Sequence, residues 1–157
     1  MRMSKLLAGL TIAAFAAPNL ALAEESPSMR QEFRVKGLAE PISHYTYAVR
    51  FGNLLFISGL TPVDAEGKLV GGDDTAAQTR QIFENMAKIL SEAGATFADV
   101  LKVTVYLTDI GDRTKINPVR QEFFGNARPA STLIGVKELA IPGMKVEIEA
   151  VAGLRKS

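Results

Sequence analysis

"QTRQIFENMAKILSEAGATFADVLKVTVYLTD", residues 78–109, passes from a spacing of three to four residues to a spacing of two, and that change decides the fold class. Ile82, Met86, Ile89, Leu90 and Ala93 fall at i, i+4, i+7, i+8 and i+11, one apolar stripe along a helix that Gly94 ends. Further on, Val103, Val105 and Leu107 alternate with Lys102, Thr104, Tyr106 and Thr108, the pattern of a half-buried strand. A helix with one apolar stripe and a strand with one apolar face bury both by laying the stripe on the sheet.

Upstream, the helix can be capped by Asp73, Asp74 or Thr75. Before that, residues 32–36 alternate like a short strand, and "HYTYAVRFGNLLFISG" (44–59) reads as two strands, about 45–51 and 53–59, turning at Gly52. Downstream, Pro118 suits a first helical turn, which predicts a short helix from Asn117 to Gly125 with Val119, Phe123 and Phe124 inward. Two strands follow, about 131–138 and 144–152. In the second, Val146, Ile148, Ala150 and Ala152 share a face opposite Glu147, Glu149 and Val151. The resulting order is β-β-β-α-β-α-β-β, an α+β domain over residues 32–157 with both helices on one side of the sheet. The other sheet face would hold Tyr47, Thr104, Tyr106, Glu147 and Glu149, too polar for a core and too aromatic for a plain solvated surface, so it is expected to meet another subunit.

The chain begins differently. Arg2 and Lys5 precede an apolar run from Leu6 to Phe15, Pro18 and Asn19 break it, and Ala21-Leu22-Ala23 has the small-x-small form of a signal-peptidase site. Residues 1–23 therefore read as a secretory signal and 24–31 as a flexible lead-in, which predicts a periplasmic or secreted protein with no membrane attachment after cleavage. Removing Arg2 and Lys5 takes Lys+Arg from 18 to 16 against Asp+Glu 17, a mature net charge of −1. With no basic run, nucleic acid is not an expected partner.

The absence of cysteine excludes disulfides, thiolate metal sites and cysteine nucleophiles. The one histidine, His44, lies in a loop with no nucleophile elbow near it. Asp64, Glu66, Asp73 and Asp74 lack the ligand spacing of a calcium loop, and Gly71-Gly72 lacks the lysine of a phosphate loop. What remains is chemistry without cofactor or metal, or binding alone. Of the acids, Glu147 and Glu149 on "VEIEA" are the candidates, weighed against the plainer reading that strand glutamates face solvent.

Taken together, "HYTYAVRFGNLLFISGLTP", "QTRQIFENMAKILSEAGATFADVLKVTVYLTD", "INPVRQEFFG" and "RPAST…MKVEIEAVA" resemble the Rid family of YjgF-type, RutC-like enamine/imine deaminases, in order and over nearly the whole mature chain. The resemblance implies a chorismate-mutase-like fold, a six-stranded mixed sheet backed by two helices. It also implies a homotrimer with a small-molecule cleft between adjacent subunits. Active members of such a family hydrolyse 2-imino or enamine acids to 2-keto acids and ammonia without a cofactor. An arginine grips the substrate carboxylate and a strand glutamate places the water. Carried over, that glutamate is Glu149, the loop tyrosine is Tyr45, the S-G pair is Ser58-Gly59 and the helix asparagine is Asn117.

The arginine is the departure. The family places it directly after Pro-Ala, and here Pro129-Ala130 is followed by Ser131-Thr132. Arg128 lies three residues earlier, an offset that on an extended strand points to the opposite face and gives Arg128 a loop or rim position. Losing a charge-assisted hydrogen bond of roughly 1.5–3 kcal/mol predicts carboxylate binding weaker by about tenfold to a hundredfold. Ser131 and Thr132 are alternatively suited to a neutral carbonyl or amide. The expected function is hydrolysis of a C=N substrate, and the alternative is a non-catalytic small-molecule-binding or holdase-like trimer.

Overall fold

Six strands and two helices form in the order the hydrophobic periods dictate. The computed structural model describes residues 29–155. The strands are β1 (Arg30–Phe33), β2 (Ala48–Phe51), β3 (Leu54–Leu60), β4 (Val100–Leu107), β5 (Ala130–Gly135) and β6 (Val146–Gly153). The helices are α1 (Thr75–Glu92) and α2 (Arg113–Phe124). The expected signal segment, 1–23, and most of the lead-in lie outside the described residues.

The strands lie in the order β1-β2-β3-β6-β4-β5, antiparallel throughout except for the parallel pair β4 and β5. The last strand in the chain is thus hydrogen-bonded on both sides near the middle of the sheet. Its Val146, Ile148, Ala150 and Ala152, with Val103, Val105 and Leu107 of β4, are buried, and Ile82, Phe83, Met86, Ile89 and Leu90 of α1 join them in one core. Each such Val, Leu, Ile, Met or Phe side chain contributes roughly 1.5–3 kcal/mol when removed from water. Parallel neighbours need a crossover. Helix α2 supplies it between β4 and β5, with Ile116, Val119 and Phe124 buried.

Of the three capping candidates, Asp74 caps α1, its carboxylate accepting from the backbone N–H of Ala76 at 2.8 Å and of Ala77 at 3.2 Å. Buried Gln78 ties that helix to the entry of β6. Its Nε2 donates to the carbonyls of Gly72 (2.7 Å) and Gly143 (2.9 Å), and its Oε1 accepts from the N–H of Lys145 (2.8 Å). This contact fixes where Glu147 leaves the sheet.

Four boundaries differ from expectation by three residues or more, one of them the start of β2, at Ala48 rather than about residue 45. β1 ends at Phe33 rather than continuing to Lys36; Val35 is buried by packing and not by strand pairing. β5 ends at Gly135 because its partner β4 ends at Leu107, opposite it. Helix α2 begins at Arg113, not Asn117. Asp109 accepts a hydrogen bond from Gly111 N–H at 2.8 Å and starts a short 3-10 turn, Ile110–Asp112, that runs directly into α2. Pro118 therefore sits inside the helix, where its missing N–H costs the bond to Thr114 but its exposed ring finds room.

Candidate active site

The face of the sheet turned away from the helices carries most of the polar side chains. Thr104 lies opposite Glu149 and Tyr106 opposite Glu147 in the β4–β6 register, as the alternation requires. Tyr47 leaves this group. It packs against the core with Leu38, and its hydroxyl donates to the carbonyl of Ala39, because the chain before β2 bends rather than continuing the strand.

A first cluster forms where β3 meets β6. Ile57 pairs with Ala150 and Leu60 with Ile148, so Ser58 and Gly59 together stand opposite Glu149 in a bulge. The carboxylate of Glu147 lies over Gly59, and a Cβ there would come within 2.0 Å of its Oε1. A side chain at this position would have to push the Glu147 carboxylate aside. Ser58 Oγ donates to the carbonyl of Thr46 at 2.6 Å, and its N–H to that of Tyr47 at 3.0 Å. Tyr45 is partly exposed, edge-on to Tyr47 with ring centroids 6.4 Å apart. Together with Ser58 and His44 it lines a polar cavity of about 490 Å³.

The two glutamates differ electrostatically. Glu147 is half-buried, and burial, then the charge of Glu149, pushes its pKa above the usual carboxylate range. Glu149 borders a smaller hollow with Phe56, Lys102 and Thr104. It also stands beside Tyr106, whose phenol is pushed up by burial and then by the Glu149 charge. The family resemblance carries the water-placing role to Glu149, while the side chain against Ser58-Gly59 is that of Glu147. Two glutamates at i and i+2 share a face in any sequence reading. Only the bulge tells them apart.

A second cluster forms at the β5 edge. In the β4–β5 register Ser131 pairs with Val103 and Thr132 with Thr104, so Ser131 faces the helix side and Thr132 the open side. Lys102 Nζ donates to Thr132 Oγ1. Arg120 of α2, a residue the sequence reading did not single out, donates from Nη2 to Ser131 Oγ at 3.0 Å. Asn117 is exposed one helical turn earlier, and Arg128 is exposed in the loop before β5. Across the row Ile57–Ala150–Val103–Ser131 the two clusters are three strand spacings apart, roughly 14 Å at about 4.8 Å per strand; Thr132 and Lys102 share the open face with the glutamates, while Ser131 and Arg120 lie on the helix side. Among the described residues, no group of three or more histidine, aspartate or glutamate side chains is placed to hold a metal ion.

An open mixed sheet backed by two helices, with polar clusters at a β-bulge and at an edge strand, defines an α+β protein. A family model described as Endoribonuclease L-PSP matches residues 37–154. A RutC family protein of Pyrococcus abyssi is 43% identical over 114 residues, covering 72% of this chain and 88% of that one. The 3-aminoacrylate deaminase RutC of Acinetobacter baylyi is 36% identical over 117 residues, covering 74% and 92%. The crystal structure of E. coli TdcF with bound serine superposes with a TM-score of 0.73 at 30% identity, covering 80% of this chain and 99% of that one. The chain belongs to the YjgF/Rid/RutC family, and membership supports an imine/enamine deaminase-type role in general terms.

The Gly59 contact makes a specific prediction. In Gly59→Ala the new methyl displaces the Glu147 carboxylate, and ligand turnover or binding at the first cluster falls at least tenfold. The melting temperature stays close to wild type, because the methyl enters the open face and leaves the core untouched. Parallel kinetics and thermal melts check both halves, and unchanged function would remove Glu147 from the site.

Proposed function

We propose that the protein hydrolyses a small imine or enamine to a carbonyl compound and ammonia, without a cofactor, in a cleft completed by a second copy of the chain within a homotrimer. The observation that carries this reading is the half-buried Glu147 carboxylate held over the Ser58-Gly59 bulge, in a chain similar to a named 3-aminoacrylate deaminase. A carboxylate whose pKa is raised by burial and a neighbouring negative charge is a stronger proton acceptor than an ordinary one.

In the proposed reaction the oxygen of a water adds to the C=N carbon while Glu147 takes one of its protons. The proton passes to the nitrogen to give a carbinolamine; Glu147 then takes the carbinol O–H proton and delivers it to that nitrogen, so that the C–N bond breaks, ammonia leaves and C=O forms. Tyr45, Ser58 and the backbone at Gly59 line this half of the cleft. Glu149 acts through its charge, which helps to hold the Glu147 proton affinity up. Asn117, Ser131 and Thr132 contribute the other half. A small ligand cannot span roughly 14 Å across the sheet within one chain, which is why the reading requires a neighbouring copy.

Ammonia release from 2-imino acids generated in situ by an amino-acid oxidase tests the reaction. Wild type is expected to accelerate it, and Glu147→Ala to lose about a hundredfold or more of the acceleration, the usual weight of a general base. Because the base must be ionised, the rate falls as pH drops through the raised Glu147 pKa. Glu149→Gln removes a like charge, favours the ionised form and moves that acid limb to lower pH. Wild type no faster than Glu147→Ala would leave the non-catalytic binding reading in its place.

The same proposal includes export, supported by the Arg2/Lys5 start, the apolar run and Ala21-Leu22-Ala23. N-terminal sequencing of the protein from a periplasmic or culture-medium fraction is expected to begin at Glu24. A cytoplasmic protein with residues 1–23 retained would contradict it.

A further inference from the structure

Arg120 differs from the other well-placed arginines of the chain. Arg80 is held by both oxygens of Glu122, and Arg155 by Asp99 at 3.3 Å. Arg120 is half-buried on α2 and, among the described residues, pairs with no carboxylate. Burial alone moves its pKa, downward. It gives one hydrogen bond to the neutral hydroxyl of Ser131. A guanidinium has five N–H donors in a planar fork, so most of this one remains available.

The surroundings fit an anion. Arg120 lines a cavity of about 250 Å³ between α2 and the loop into β5, together with Gln121, Phe124, Arg128 and Pro129 and with no acidic residue in its wall. A cation partly withdrawn from water without a counter-charge is unfavourable until an anion joins it. Two arginines supply the charge, and Phe124 and Pro129 supply a short apolar wall.

We propose that this corner is the carboxylate-binding subsite of the protein, in which Arg120 grips the carboxylate of a small monocarboxylic acid in its fork and Arg128 guards the rim. Residue 131 lacks the arginine that the resemblance leads one to expect, and the missing guanidinium reaches the same side chain from the helix instead. The inference rests on the proposed reaction only for the imine end of the substrate; the carboxylate grip is a binding claim that stands apart from turnover.

Titration of the full mature protein with pyruvate, methyl pyruvate and inorganic phosphate, followed by calorimetry, tests it. Wild type is expected to bind pyruvate and to discriminate against the uncharged ester and against phosphate. Arg120→Gln can still reach the Ser131 hydroxyl but lacks charge, and is expected to weaken pyruvate by about tenfold to a hundredfold while leaving the ester unaffected. Arg120→Gln combined with Ser131→Arg returns a guanidinium to the same place and restores pyruvate affinity, which a merely structural role of Arg120 would not allow. The proposal is overturned if wild type binds pyruvate no better than its ester or prefers phosphate, or if Arg120→Gln binds pyruvate as wild type does. Pyruvate binding that depends on Arg120 in a protein without imine hydrolysis would uphold this inference and refute the reaction; the reverse pattern would do the opposite.

Discussion

Strand β6, hydrogen-bonded on one side to β3 and on the other to β4, is the constraint on which both the core and the site depend. Its even-numbered residues from Val146 to Ala152 close the core beneath α1, and its odd-numbered ones put Glu147 and Glu149 on the open face. A slip of one residue would exchange the two sets, burying two carboxylates and exposing four aliphatic side chains. Gln78 guards against that slip. Fully buried, it fastens the N–H of Lys145 and the carbonyl of Gly143 just before the strand begins. The position of the candidate base is thus set by the same hydrogen bonds that hold the sheet on its helix.

That coupling explains what could be read from the sequence. Alternation in β4 and β6 and the stripe on α1 are statements about faces, and faces follow from period alone, so the fold class, the element order and the core residues were legible. Features that depend on how one element meets another were not. The start of α2 was misplaced because Pro118 invites a first-turn reading, whereas the preceding 3-10 turn has already set the helical backbone. The family pattern alone pointed to Glu149, and the bulge at Ser58-Gly59, which has no local signature beyond a glycine, gives the close contact to Glu147. Arg120 was passed over for a similar reason. Nothing in "INPVRQEFF" distinguishes its guanidinium from that of any exposed helix arginine until the crossover folds it against β5.

The departure at Ser131 then takes on a different meaning. Read along the chain it is a missing cation, but in three dimensions the serine hydroxyl is an acceptor that orients an incoming one. In the proposed subsite, charge is kept at the place while the residue supplying it changes. In the proposed reading, the reacting end is organised around the negative charge of Glu147 and Glu149 and the gripping end around Arg120 and Arg128, an arrangement that would align a molecule with an electrophilic C=N carbon at one end and a carboxylate at the other.

These two ends lie apart in a single chain, so the account as a whole turns on their meeting between copies. The direct measurement is subunit complementation: Glu147→Ala and Arg120→Gln chains, each strongly impaired alone toward 2-imino acids at sub-saturating concentration, are unfolded together, refolded, and confirmed as mixed oligomers before assay. The account predicts that the mixture regains substantial activity, because some clefts then pair an intact Glu147 from one chain with an intact Arg120 from its neighbour. Mixed oligomers that form and remain as inactive as either parent would contradict it.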